Sequence, residues 1–248
     1  LPDNAIPKTA MVFAAGLGTR MRPITNKIPK ALVKVNGKQM LDYALDSLAA
    51  AGIERAVVNT HYLAEQIAVH LENRKNPQVI ISNEEPIILE TGGGIVQALP
   101  LLGKKPFYAL STDTLLIEKG KPALLRLAEL WDPEKMDALL LLVKVSEAVG
   151  YYGKGDFDLL PDGMLSRDKK SHSYEFVYSG IMIISPEVFY GRKAEPFSYT
   201  AGMFLKDEKY NNADGSMPRL YGLPHAGKWL HVGTPDAIKL AEYAINNT

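Results

Sequence analysis

Ala10-Met11-Val12-Phe13-Ala14-Ala15-Gly16-Leu17-Gly18-Thr19-Arg20-Met21-Arg22-Pro23 is the stretch that decides the fold. Its first five residues are an apolar run that ends in glycines and then in a polar loop, which reads as a buried strand feeding a turn. Beyond the loop, residues 40–51 place Leu41, Ala44, Leu45 and Leu48 on one helical face, and Gly52 stands where that helix would stop. The opening unit is therefore strand, loop, helix. The same rhythm continues outward: strand at 56–58, helix through Leu63, Ile67 and Leu71, strand at 79–81, helix at 91–102, strand at 107–110, helix at 122–131 and strand at 138–145. Such alternation predicts an α/β, Rossmann-like fold, with a mixed, mostly parallel sheet, helices on both faces, and ligands at the carboxyl ends of the strands.

After about residue 150 the pattern turns to hairpins. Residues 157–160 and 164–166 flank the turn Pro161-Asp162-Gly163, and 174–184 reads as one long strand. A last helix is expected over 237–246, with Thr234 as N-cap and Pro235 in its first turn. No glycine-serine linker, charge block or repeat divides the chain, so residues 1–248 are expected to form one domain.

Composition narrows the function classes. At 248 residues, 46% hydrophobic and 23% charged, the chain is long and apolar enough for one such domain. Its 28 basic and 28 acidic residues cancel, so no overall field draws it to nucleic acid or anionic lipid. Neither partner is expected. Zero cysteines exclude disulfides and thiolate metal sites. No apolar run reaches the roughly 18–20 residues of a membrane span, and Leu1 to Thr9 lacks the basic head and apolar centre of a signal peptide. A cytoplasmic location is the expectation.

The glycine loop has two readings on its own: a chain reversal, or a set of backbone N–H groups that wraps phosphate oxygens, with Arg20 and Arg22 adding charge. A nicotinamide dinucleotide site is disfavoured. Met21 stands where that fingerprint needs a third glycine, and no acidic residue ends the strand after Val58. The P-loop pattern also fails, because no Lys-Ser or Lys-Thr follows at the required spacing. Pro29-Lys30-Ala31-Leu32 then stiffens the approach to a lysine beside the same loop.

Taken in order, the glycine loop, Thr19-Arg20, Pro23 and Pro29-Lys30 resemble the signature of the sugar-1-phosphate nucleotidyltransferases. The Glu90-Thr91-Gly92-Gly93-Gly94 form is most similar to the N-acetylmuramate-1-phosphate uridylyltransferase branch. The resemblance implies the nucleotide-diphospho-sugar transferase fold, with residues 8–145 binding nucleotide and 146–248 binding sugar. It implies that Ala14, Ala15, Gly16, Gly18, Thr19 and Arg20 cradle the triphosphate, and that Arg20 and Lys30 act at the reacting centre. Three glycines opening a helix cost about 1 kcal/mol each against alanine. Either a neighbouring segment packs there or, as we favour, a ligand approaches, so that Glu84, Thr91 and Gly92 line the nucleotide pocket with Glu84 reading the base. A carboxylate accepts uracil N3–H and the guanine edge donors equally well, so chemistry alone does not choose the base.

Asp113 ends a strand on the predicted crevice and is the candidate ligand for magnesium or manganese, although Ser111 and Thr112 replace the family's usual asparagine and glycine. The family's second metal ligand is an aspartate in Trp-x-Asp-Val-Gly-Thr, and here that place holds His231. Three readings of His231 stand side by side: magnesium held by Asp113, phosphates and water alone; a softer ion such as manganese that tolerates nitrogen; or a structural hydrogen-bonding histidine. On the sugar side the resemblance points to Gly153, Asp156 and Ser179. The family's Glu-Lys-Pro lysine is missing, which leaves Lys154, Lys169 and Lys170 as substitutes. His61 borders the predicted pocket. The implied reaction joins a nucleoside triphosphate, UTP favoured, to a sugar 1-phosphate, N-acetylmuramate 1-phosphate favoured, as in peptidoglycan recycling in the cell wall. Mannose-1-phosphate guanylyl transfer and glucose-1-phosphate thymidylyl or uridylyl transfer stay open, as does a non-catalytic nucleotide-sugar binder. A monomer or small homo-oligomer is expected.

Overall fold

The computed structural model describes residues 7–167, 172–199 and 218–248. Strand β1 (Thr9–Phe13) is apolar from Ala10 onward because both of its faces are covered. Ala10 and Val12 point into one core with Leu41, Leu45 and Leu48 of α1 (Met40–Ala50), Ile67 of α2 (Ala64–Leu71), and Leu124 and Leu127 of α4 (Ala123–Leu130). Met11 points the other way, to Ile95, Ala98 and Leu102 of α3 (Glu90–Leu102) and to Val188 and Phe189. The period-2 alternation of one short strand thus feeds two cores. Truncating a side chain such as Leu45 is worth about 2–5 kcal/mol in a site of this kind.

Around β1 stand β4 (Arg55–Thr60), β5 (Gln78–Asn83) and β6 (Phe107–Ser111), and further out β8 (Ala138–Lys144), β12 (Phe176–Ile184) and β13 (Leu220–Pro224). These seven strands make one sheet in the order β13-β8-β12-β6-β1-β4-β5. Every neighbouring pair is parallel except the two that involve β12, so the sheet is mixed and mostly parallel, as expected. The expected hairpin is also present, with β10 (Asp158–Leu159) antiparallel to β11 (Leu165–Ser166), and a shorter one joins β2 (Lys34–Val35) to β3 (Lys38–Gln39).

Three features differ from the sequence expectation. The long strand 174–184 starts at Phe176 and is broken by a bulge between Tyr178 and Met182. Gly180 turns the chain there at φ +88°, where an added Cβ would lie 3.0 Å from that of Ser111. Thr234 occupies the N-cap of α5 (Pro235–Asn246) without a side-chain cap; its backbone carbonyl accepts from Ala237 N–H instead, at 3.1 Å. A second small sheet was not expected: β7 (Thr114–Ile117) pairs antiparallel with β14 (Lys228–His231), which runs parallel to β9 (Ala148–Val149). Its register sets His231 opposite Thr114, one residue from the end of the loop after β6. Among the described residues no helix is long and apolar enough to cross a membrane.

Candidate active site

The carboxyl ends of β1, β4 and β6 open onto a cleft of about 260 Å³. One wall is Phe13, Ala14, Ala15 and Gly16; the other includes Ile88, Glu90, Thr91 and Ser198; Ser111, Thr112, Asp113, Lys30, Ala31 and Asn59 complete it. Gly16 is exposed, and nothing lies within 4 Å of the place its Cβ would take, so its backbone is open to a ligand. Gly18 adopts φ +62°, and a Cβ there would sit 2.8 Å from the Thr25 methyl and 3.0 Å from Lys30 Cβ. The Thr25 hydroxyl, itself buried, donates to the Gly18 carbonyl at 2.7 Å. Thr25 therefore braces the loop from beneath. Thr19 begins the short 3-10 turn Thr19–Met21 that follows Gly18 and is exposed.

Lys30 Nζ donates to Asp113 Oδ2 at 2.5 Å, joining residues 83 positions apart. Burial works against ionisation of Asp113, but Lys30 above all, then His231 and Arg20, outweigh it and hold the carboxyl below its ordinary range. For His231 burial wins and disfavours the imidazolium, in spite of the Asp113 charge. Its ring stacks on Trp229, with centroids 5.6 Å apart. Val232 N–H donates to the Asp113 carbonyl at 2.7 Å, tying the two segments together. Arg20, Lys30, Asp113 and His231 thus share one electrostatic neighbourhood, although they come from three distant parts of the chain.

Among the described residues no group of three acidic or histidine side chains surrounds a common point. The Asp113 carboxylate is a hard donor that suits magnesium, provided phosphate and water supply the rest of the shell. His231 Nδ1 is buried and makes no hydrogen bond among the described residues, which speaks against a purely structural hydrogen-bonding role.

Several expected contacts are not where the sequence reading put them. Glu84 is 0% exposed, with one oxygen accepting from Asn59 Nδ2 (2.6 Å) and the other from Leu89 N–H (2.7 Å), so it offers nothing to a base edge. Burial pushes its carboxyl up, against the pull of those donors. The triple glycine is filled by protein rather than open to a ligand. A Cβ on Gly92 would fall 2.0 Å from the Phe197 ring, one on Gly93 2.1 Å from the Glu195 carbonyl, and one on Gly94 2.5 Å from Glu84 Oε1. Gly92 N–H is also spent, donating to Phe197 O at 2.8 Å. Thr91 does line the cleft, and its hydroxyl accepts from Tyr199 N–H at 3.3 Å.

On the sugar side, Ser179 is buried under Trp229, whose indole N–H donates to its carbonyl at 2.9 Å; burial removes it as a ligand contact. Asp156 accepts from Tyr178 N–H at 2.9 Å, and burial raises its carboxyl against that bond and Arg167. Gly153 is exposed and makes room for the Tyr151 hydroxyl, which would lie 2.2 Å from a Cβ. None of these three lines the cleft. His61 does not line it either; its Nδ1 lies 2.6 Å from the Glu84 carbonyl. Lys154 is exposed, whereas Lys169 and Lys170 lie outside the described residues.

Sequence reasoning passed over Thr25, Asn59 and Glu90. A polar residue ending the apolar strand β4 was the signal for Asn59. Glu90 carried a weaker one; with Asp113 it is one of two carboxylates lining the cleft, and it sits at φ +57°, a conformation that costs a non-glycine residue on the order of 1–3 kcal/mol.

Residues 9–248 match the family model described as nucleotidyl transferase. The chain is 43% identical over 240 residues to an N-acetylmuramate alpha-1-phosphate uridylyltransferase of Caulobacter vibrioides, covering 95% of this chain and 96% of that one. It is 36% identical over 235 residues to the protein of the same name from Neisseria meningitidis serogroup B, covering 94% and 96%. Among solved structures, a UDP-glucose pyrophosphorylase complexed with UDP-glucose superposes with a TM-score of 0.72 at 19% identity, covering 98% of this chain and 99% of that one, a likeness of fold.

Proposed function

The chain belongs to the nucleotidyl transferase family, and from that premise we propose that it joins UTP to N-acetylmuramate 1-phosphate, releasing pyrophosphate and forming a nucleotide sugar. The observation that carries this reading is the Lys30–Asp113 pair, set beside an open backbone loop and under the field of Arg20. An oxygen of the sugar phosphate attacks the α-phosphorus in line, the bond to the β-phosphate oxygen breaks, and pyrophosphate carries away the negative charge. Such transfer is governed by alignment and charge neutralisation. Backbone amides at Ala15 and Gly16 face the triphosphate, Arg20 and Lys30 spread their positive charge over it, and Lys30 is shared between phosphate and Asp113.

Magnesium or manganese, held by Asp113 with phosphate oxygens and water, would add further neutralisation at the phosphates; His231 is the candidate nitrogen donor to the softer ion. Glu90, not Glu84, is the carboxylate available to a base. Because a carboxylate suits uracil and guanine alike, the preference for uridine rests on the names of the two relatives. Asp156 and Gly153 are proposed to border the sugar within 146–248, the sugar-binding part of a single domain. With those substrates, the proposed setting is the cytoplasm and the recycling of cell-wall sugars.

The test is a matrix of UTP, GTP, dTTP and CTP against N-acetylmuramate, glucose and mannose 1-phosphates, with magnesium or manganese, read as pyrophosphate release. UTP with N-acetylmuramate 1-phosphate is expected to turn over fastest. Thermal stabilisation by nucleotides without pyrophosphate from any pair overturns the catalytic reading and leaves a binding protein.

A further inference from the structure

Glu84 is a fully buried carboxylate that the reaction does not use, and burying a charge is costly unless it is closely hydrogen-bonded. Its bonds form a directed relay. Ala14 N–H donates to Asn59 Oδ1 at 2.8 Å, Asn59 Nδ2 donates to Glu84 Oε1 at 2.6 Å, and Leu89 N–H donates to Glu84 Oε2 at 2.7 Å. The relay crosses the tips of β1, β4 and β5 and ends at the first turn of α3. At one end is the first residue of the amide loop; at the other is the residue before Glu90, whose left-handed backbone lines the opposite wall.

The polarity of this chain of bonds is fixed by chemistry. A backbone amide can only donate, so Asn59 must turn its oxygen to Ala14 and its nitrogen to residue 84. Leu89 also only donates. The side chain at 84 must therefore accept on both terminal atoms, which an ionised carboxylate does and glutamine cannot. Gly94 fits the same device, because a methyl there would lie 2.5 Å from Glu84 Oε1 and 3.0 Å from Asn59 Nδ2.

We infer that Glu84 is a positioning residue for the nucleotide: through Asn59 it fixes the Ala14 amide, directly it fixes the Leu89 amide, and so it sets the two facing walls of the cleft. This rests on the reading that the cleft takes a nucleoside triphosphate. The experiment compares the full chain with Glu84→Gln, Asn59→Ala and, as a control, Glu85→Gln at the exposed neighbour, measuring UTP binding by calorimetry, KM for UTP and for the sugar phosphate, and thermal unfolding. Glu84→Gln is expected to weaken UTP binding and raise its KM by about tenfold or more, the size set by a buried donor losing its acceptor. The sugar phosphate KM should stay within about twofold, and Glu85→Gln should match the wild type. Should Glu84→Gln fail to fold, Asn59→Ala interrupts the relay at its centre and must show the same split. Wild-type UTP affinity in either folded variant, or equal losses for both substrates, overturns the inference while the functional reading stands. A wild-type protein that binds no nucleoside triphosphate overturns the functional reading itself, and this inference with it.

Discussion

Two glycine-rich segments lie beside the cleft, one reaching it through Gly16 and the other following its lining residue Thr91, and they use the same composition in opposite ways. In the first segment the chain leaves its backbone bare at Gly16, which has no neighbour within 4 Å of a Cβ position, while Gly18 is held from below by Thr25. At 92–94 every Cβ position is already taken, by the Phe197 ring, the Glu195 carbonyl and the Glu84 carboxylate. The first segment is open at Gly16, where nothing in the protein fills the space; the second is closed because protein already does. A glycine cluster at the head of a helix is therefore no sign of a ligand until the occupant of the missing side chains is known.

The largest effect is expected beside the open loop, where Lys30→Ala should reduce kcat by about 10²–10³-fold with the fold retained, as for loss of a preorganised charge partner. Pyrophosphate release and an unfolding curve read the two parts separately, and wild-type turnover would remove Lys30 from the mechanism. Next, Gly93→Ala at the closed segment should destabilise the protein by about 2–3 kcal/mol in urea unfolding, since its methyl meets a backbone carbonyl rather than a yielding side chain. A stable Gly93→Ala protein would mean that the Glu195 segment does not pack as described.

Gly16→Ala sharpens the contrast. Stability should change by less than about 0.5 kcal/mol because the space is empty, while KM for the nucleotide rises by about tenfold as the methyl crowds the phosphates. Equal losses of stability at positions 16 and 93 would erase the distinction between the segments. The smallest effect is expected for Thr25→Val, which keeps the methyl under Gly18 but removes the hydroxyl bond; about 1 kcal/mol of stability should be lost.

The βα alternation was legible because a strand buried on both faces and a helix buried on one leave different periods in the sequence, as Ala10 to Ala14 and Leu41 to Leu48 show. The reversed direction of β12 was not legible, because a strand reads alike in both directions. Nor were β7 and β14, which are four residues each and acquire their meaning only by pairing with each other. The misplaced contacts have a common cause. Glu84, Gly92 and Ser179 each sit in a polar or glycine-rich stretch beside the cleft, and each is consumed by an internal partner from far along the chain: Asn59, Phe197 and Trp229.

What the sequence determined by itself was the order of elements, the glycine loop with its arginine and lysine, and the strand-end Asp113. These are properties of local spacing, and spacing is written directly in the chain. Tertiary structure alone decided which backbone amides face solvent, which glutamate faces the cleft, and which glycines are already occupied. Those outcomes depend on what fills the space beside a residue, and here the neighbours come from segments tens of residues away.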